Sequence, residues 1–539
     1  MKESALFRLV LVSLFVTTIF VSQTMAAEFH VTNATEFQNA LDTAETNGED
    51  DSIYLAPGIY WGGFGYHPSQ EHRGLTITGE PGANPRDIIL DGGNTHEVLT
   101  LYQGNHSYSG PTVDVRINGI TIQNGVGDGG GSGLRVRFYK EYNVFITHCI
   151  IRNNSEVGFG AGLVIEMYEG SVDLILEDNQ IFNNALGERE DGDCNGGGVA
   201  IIYQGQGQIT LRNNIIANNK ASGVTSPKGG GLWVNANGDV RLIGNTISNN
   251  TATKGGGICI LDSPTANLQN NIIFRNKASE GDDIYFGEIT ETIGYNNNYS
   301  NMFGTWTTSD NNLNTDPLFV SPKNNDYHLR PNSPMVNAGK SDVPSPPGLP
   351  VTDFEGDPRS YGEAPDIGAD EYAGDKYYPE EGTFGTEIAL LGSGFGSRKG
   401  KVLVGSSALK VLEWKGETIR CQLAKVLDPG TYNLTIQPKV TDQIVIDNGF
   451  TVKPPEIRSI NPTSGSAGDE ITIYGFFFGT KKGKVTLGEK SCKVRSWTMD
   501  PITGASGIRF AVPKGLDLGT NELKVINKVG EATESFAVD

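Results

Sequence analysis

A nine-residue phrase ending in asparagine returns five times in the first half of the chain, and a repeat of that kind restricts the fold more than any other feature. The copies are Ile146-Thr-His-Cys-Ile-Ile-Arg-Asn-Asn154, Leu176-Glu-Asp-Asn-Gln-Ile-Phe-Asn-Asn184, Leu211-Arg-Asn-Asn-Ile-Ile-Ala-Asn-Asn219, Leu242-Ile-Gly-Asn-Thr-Ile-Ser-Asn-Asn250 and Leu268-Gln-Asn-Asn-Ile-Ile-Phe-Arg-Asn276, spaced by 30, 35, 31 and 26 residues. A period of this length, carrying short alternating apolar positions instead of helical heptads, marks a solenoid. The column Ile151, Ile181, Ile216, Ile247 and Ile273 stands three residues before each closing Asn, which predicts a strand with a period of two.

A second strand recurs in every turn behind glycine: Gly133-Leu-Arg-Val, Gly162-Leu-Val-Ile, Gly198-Val-Ala-Ile, Gly231-Leu-Trp-Val and Gly257-Ile-Cys-Ile. Its apolar positions form two inward columns, Leu134, Leu163, Val199, Leu232, Ile258 and Val136, Ile165, Ile201, Val234, Ile260. Residues 50–300 therefore read as a right-handed parallel β-helix. Its Asn columns are expected to form side-chain ladders at corners, where Asn also tolerates left-handed backbone. Ahead of the coils, residues 32–47 read as a short amphipathic helix with Phe37, Leu41 and Ala44 on one face. Such a helix would cover the open end of the stack.

Composition agrees with an all-β protein too long for one domain: 70 glycines in 539 residues and 19% charged. Lys2 and Arg8 precede an apolar run from Leu9 to Val21 and small residues to Ala27, the pattern of a secretory signal peptide over residues 1–27. The five scattered cysteines, Cys149, Cys194, Cys259, Cys421 and Cys492, do not suggest a disulfide framework. Residues 1–374 hold 21 Lys/Arg against 44 Asp/Glu, and residues 375–539 hold 21 against 19. The acidity thus sits on the solenoid, which disfavours nucleic acid and anionic membranes and leaves neutral glycans, Ca²⁺ and basic partners compatible.

After the repeats, residues 301–374 carry Asp316-Pro-Leu-Phe319, Asp326-Tyr-His-Leu329, Asp353-Phe-Glu-Gly-Asp-Pro-Arg359 and Asp366-Ile-Gly-Ala-Asp-Glu-Tyr372. This order of motifs resembles the closing segment of many secreted bacterial right-handed β-helix proteins. More loosely, the Asn and Gly phrasing resembles β-helical passengers of bacterial adhesins. Further on, Gly392, Phe395, Gly396, Gly400, Lys401, Val402 and Trp414 recur 83 residues later as Gly475, Phe478, Gly479, Gly483, Lys484, Val485 and Trp497. The stretch from Pro455 through Ile460-Asn-Pro-Thr-Ser-Gly465 to Gly479 resembles the opening of immunoglobulin-like IPT/TIG domains, with a weaker first copy. The resemblance implies two such β-sandwiches, over 375–453 and 454–539, behind a β-helix over 28–300 and its closing segment over 301–374. It implies spacer, interaction or glycan-binding roles for them.

Pectate-lyase-like β-helix enzymes act on polysaccharides along their stacked strands, but the chain contains no Gly-His-Gly, Arg-x-Pro-x-x-Arg or Asp-Pro-His-Asp segment. Three clusters remain. Arg135 and Arg137 should stack beside Val164 and Glu166, about 4.8 Å away on the next coil. They read as an acid–base pair for elimination or hydrolysis, or as a cross-strand ion pair. Trp61, Tyr66, Trp233 and Trp306 are candidates for stacking on sugar rings, or for packing the coils. Glu188, Glu190, Asp191 and Asp193 crowd one loop, with hard oxygen ligands suited to Ca²⁺ or simply solvated. The expectation is a secreted or cell-surface protein that binds a polysaccharide or cell-surface glycan. The alternatives are a polysaccharide lyase or glycoside hydrolase working in the groove, and a structural coat component.

Overall fold

The computed structural model describes residues 26–539 apart from 69–71, 105–110, 128–129, 140, 188–193, 224–225, 331, 342–348, 360–363, 373–375, 392–394, 397, 416–417 and 440–442. The expected signal peptide and the acidic loop holding Glu188, Glu190, Asp191 and Asp193 fall almost wholly or wholly outside the described residues.

The chain opens with strand Ala27–Val31 and helix Ala34–Ala44. Asn33 caps the helix by accepting the Glu36 N–H, and the Glu36 carboxylate reaches back to the Thr32 N–H at 2.8 Å, a reciprocal closure of free N-terminal donors. Phe37, Ala40, Leu41 and Ala44 are buried, with the Phe37 ring against Phe64 and Tyr60. The helix covers the first coil as its apolar face predicts.

Three long, wholly parallel sheets follow, each built from one strand per coil. The first has 11 strands, from Ala27–Val31 to Thr308–Asp310. The second has nine, from Gly58–Trp61 to Asn298–Tyr299, and the third has nine, from Phe64–Tyr66 to Met302–Phe303. This is a parallel β-helix. All three expected apolar columns are fully buried in it, and the glycine-led strands pair in the expected register, Leu134 to Leu163 to Val199 to Leu232 to Ile258.

The asparagines form the expected ladder and split its work in an unexpected way. Asn154, Asn184, Asn219, Asn250 and Asn276 are buried; each of the first four donates its Nδ2 to the Oδ1 of the next at 3.0–3.1 Å, and Asn276 donates to Asp283 Oδ1 at 2.9 Å. The left-handed backbone belongs to the residues just before them: Asn153, Asn183, Asn218, Asn249 and Arg275, with φ between 56° and 61°. A second ladder runs five residues upstream, through Asn179, Asn214, Asn245, Asn271 and Asn297 to Asn312. Each phrase therefore holds two corners flanking a three-residue strand of the second sheet, such as Ile150–Arg152.

The closing segment packs on the outer face of the second sheet. Phe319, Tyr327, Leu329, Met335, Ile367 and Ala369 bury against Ile215, Ala217 and Ile272. Corner asparagines tie it down: Asn213 donates to the Thr352 carbonyl and Asn270 to that of Lys340, while buried Arg359 donates to Asn213 Oδ1 at 2.7 Å. Two β-sandwiches complete the chain, each pairing a four-stranded with a five-stranded sheet. In both, the repeated Gly-Lys-Val and Trp have one purpose. A side chain at Gly400 or Gly483 would collide with a backbone carbonyl and with the indole of Trp414 or Trp497, whose Nε1 donates to Gly396 or Gly479 at 2.9 Å. The second sandwich lies against the early coils of the second sheet, where the Trp61 and Tyr474 rings stand 4.9 Å apart. No two of the five cysteines are bonded.

Candidate functional site

With the second sheet covered, the outer faces of the first and third sheets remain, beside a short four-stranded parallel sheet of two-residue strands from Val126–Gly127 to Lys220–Ala221, and the chemistry of the two long faces differs. The first is mostly polar, with cross-coil pairs such as Asn143 to Asp114, Thr147 to Asn118 and Arg212 to Glu177. The third carries an outward stripe of Thr100, Arg135, Val164, Ala200, Trp233, Cys259, Tyr285 and Phe303, one residue per coil. Beside it runs a second stripe, Tyr102, Arg137, Glu166, Ile202, Asn235 and Leu261. Seven steps at the ~4.8 Å spacing of neighbouring strands give a length of roughly 34 Å. The four middle residues of the first stripe, Val164, Ala200, Trp233 and Cys259, are buried, with Gly160, Gly196, Gly229 and Gly255 packed against them, so the stripe is open to solvent chiefly towards its two ends.

At one end the three residues singled out by sequence, Arg135, Arg137 and Glu166, come together. The Arg135 guanidinium donates to Glu166 Oε2 at 3.0 and 3.2 Å, and Arg137 Nε lies 3.8 Å from the same oxygen. Tyr168 donates its hydroxyl to Glu166 Oε1 at 2.9 Å. Arg137 sits among three rings, 5.5 Å from Tyr102, 5.6 Å from Tyr139 and 5.3 Å from Tyr168, and the rings of Tyr139 and Tyr168 stack at 4.8 Å. Burial works against the charge on Arg137, but Glu166 and the tyrosines outweigh it and hold its pKa above the ordinary value. Burial and then Glu166 push the Tyr168 hydroxyl up to about 12. Both Glu166 oxygens are thus engaged, and Arg137 is favoured in its protonated form. The cluster is a fixed set of donors and ring faces, without a free base.

At the other end Tyr285 and Phe303 stack at 4.6 Å with their planes within 6°, and Phe303 is 46% exposed. Lys254 lies 5.1 Å over the Tyr285 ring and pairs with Glu280 at 3.1 Å. Between the ends, Val164, Ala200, Trp233 and Cys259 form one apolar cluster with Phe159, Ile202 and Leu261 at its margin.

Of the four aromatics expected to meet sugar, the structure places only Trp233 on this face, 5% exposed. Tyr66 is 1% exposed inside the solenoid. Trp61 faces Tyr474 of the second sandwich. Trp306 packs edge-on against Phe286 at the last coil and donates to the Tyr299 hydroxyl at 2.8 Å. His148, close to Arg137 in sequence, stands at a corner 3.3 Å from Asp178. Tyr102, Tyr139, Tyr168, Tyr285 and Phe303 were not singled out from sequence, although Tyr139 and Tyr168 each follow directly on strand residues, Phe138 and Met167, that pair across coils. Among the described residues, those able to hold a metal stand elsewhere: His328, Glu355 and Asp370 of the closing segment offer ligand atoms within 4.8 Å of one another.

The family model of the IPT/TIG domain matches residues 375–452 and 455–536, so the two sandwiches are IPT/TIG domains. No curated protein matches the chain. Similar solved structures include SGBP-B from a complex xyloglucan utilization locus in Bacteroides uniformis, 18% identical over 30% of this chain and 47% of that one, TM-score 0.19. Another is SGBP-B of the Bacteroides ovatus mixed-linkage glucan utilization locus in complex with a mixed-linkage heptasaccharide, at 17%, 30%, 44% and 0.19. The Plexin A4 extracellular region is a third, at 15%, 30%, 18% and 0.22. The chain spans less than half the length of each.

Proposed function

We propose that the protein is an exported, surface-acting polysaccharide-binding protein whose third sheet presents its outer face to an extended glycan. The observation that carries this reading is the aromatic and arginine face: ring surfaces at both ends of a stripe roughly 34 Å long, with charged hydrogen-bonding groups fixed between rings. Sugar rings offer apolar C–H faces to aromatic planes and hydroxyls to Arg and Glu, so this mix suits a carbohydrate better than a protein partner or a charged polymer. Export rests on the N-terminal sequence pattern. Among the described residues no helix is long and apolar enough to cross a membrane.

Binding is favoured over catalysis because Arg135 and Tyr168 occupy the Glu166 carboxylate and Arg137 is held in its charged form beside Glu166 and the tyrosine rings. A lyase base must lose its proton near neutral pH, and the surroundings of Arg137 favour keeping it. The test is retention on a panel of insoluble neutral and uronic polysaccharides, followed by affinity electrophoresis with soluble forms and assay of new reducing ends. At least one polymer should be bound without cleavage, and Arg137→Ala and Tyr168→Ala should each weaken binding about five- to thirtyfold, as loss of a cation–π or stacking contact of about 1–2 kcal/mol implies. New reducing ends or unsaturated products would replace this reading with the enzymatic one. Undiminished binding by both variants would move the site off the third sheet.

A further inference from the structure

We propose that His328, Glu355 and Asp370 bind a divalent first-row transition-metal ion, Zn²⁺ or a close analogue, with Asp326 orienting the His328 ring. His328 and Asp326 lie two apart on strand Asp326–Leu329 and so share a face. Asp326 Oδ1 lies 2.7 Å from His328 Nδ1, which leaves Nε2 directed at Glu355 Oε2, 2.9 Å away. A carboxylate on one ring nitrogen and the ligand position on the other is the arrangement that fixes metal-binding histidines. The 2.9 Å separation is near the ~3.3 Å between adjacent tetrahedral ligands at metal distances of about 2.0–2.2 Å.

Asp370 supplies an independent sign. Its side chain is 4% exposed; Oδ2 accepts the Leu329 N–H at 2.7 Å, while buried Oδ1 has no hydrogen-bond partner. A buried carboxylate oxygen left without a partner carries an uncompensated desolvation cost, and coordination would remove it. The charge points the same way: Asp326, Glu355 and Asp370 face one imidazole, an excess of negative charge even with the ring protonated, which a divalent cation offsets. Glu355 is held out by a built turn, in which Asp353 Oδ1 accepts the N–H groups of Glu355 and Asp357 at 2.9 Å each and Oδ2 accepts that of Glu371. Nitrogen with two carboxylates selects a borderline ion over Ca²⁺ or Mg²⁺.

His328 and Glu355 line a cavity of about 770 Å³ between the closing segment, the early coils at Arg86 and Asp87 and the two C-terminal domains, which Tyr377, Lys453 and Arg458 also line. Three protein ligands leave a further coordination position for solvent or for a group entering that cavity. The ion would also join the 353–357 turn to strand Asp326–Leu329.

The test uses the full mature chain without a histidine tag, stripped with chelator, titrated with ZnCl₂ and melted with and without the ion. Expected are one bound equivalent, a higher Tm with Zn²⁺, and visible absorption of a low-symmetry site when Co²⁺ replaces it. His328→Gln and Glu355→Gln should weaken binding about 100-fold or more and abolish the Tm response, and Asp326→Asn should weaken it about 10–100-fold. Glu355 is exposed, so its variant folds even if the His328 variant does not. Absence of stoichiometric binding, full affinity in Glu355→Gln, or binding of Ca²⁺ in preference to Zn²⁺ would overturn the proposal.

Discussion

One asparagine amide illustrates how single residues hold this molecule. Asn219, 1% exposed, donates through Nδ2 to the Ile181 carbonyl at 2.9 Å and to Asn250 Oδ1 at 3.1 Å, while its Oδ1 accepts the N–H and the Nδ2 of Asn184 at 3.0 Å each. Every capacity of the side chain is used where no water can substitute. Asn219→Leu removes all four bonds and leaves buried donors and acceptors unmatched, so it should cost about 4 kcal/mol in urea denaturation followed by circular dichroism. Asn183 has the same residue type and φ of 58° but sits at the left-handed corner position, and Asn183→Gly should change stability by less than about 1 kcal/mol. Equal costs would contradict the division of labour. Sequence alone located the ladder column but assigned both jobs to one residue, because adjacent asparagines are chemically indistinguishable until the backbone is known.

At the scale of the element, the glycines that open the third-sheet strands are required by the ladder rather than by backbone freedom. A Cβ on Gly198 would stand 2.7 Å from the Gly231 carbonyl oxygen and 2.9 Å from Asn219 Nδ2, and Gly162, Gly231 and Gly257 meet the same pair of groups one coil on. Gly198→Ala should therefore lower stability by about 2–3 kcal/mol although its φ is unexceptional; a loss below about 0.5 kcal/mol would mean the coils part freely. The inward columns were legible because period-two alternation survives loops of different length. The corner inside each phrase was not. Ile146 and Ile151 both bury at an odd spacing that a straight strand of period two does not allow, so the bend could be recognised only once both were known to face inward. Arg135, Arg137 and Glu166 were found through the glycine-led register. Tyr102 was missed because its coil lacks that glycine phrase, and Tyr139 and Tyr168 because they lie one residue past the strand.

Across the whole molecule, the rest of the chain covers one solenoid face and leaves others open. The closing segment and the second IPT/TIG domain both settle on the second sheet, through Ile215 and Ile272 at one end and Trp61 against Tyr474 at the other. That docking turns a promising exposed aromatic into an interdomain contact, and residues 413 positions apart give no sequence sign of it. The third sheet keeps its Arg137 and tyrosine cluster and its Tyr285–Phe303 stack open at either end of a buried apolar middle. The most direct measurement is a crystal structure of the protein with an oligosaccharide of the best-retained polymer. Sugar density along the third sheet, with rings over Tyr102, Tyr139 and Tyr168 or over Tyr285 and Phe303, is the predicted result. Density confined to the IPT/TIG domains or to the first sheet would contradict the account.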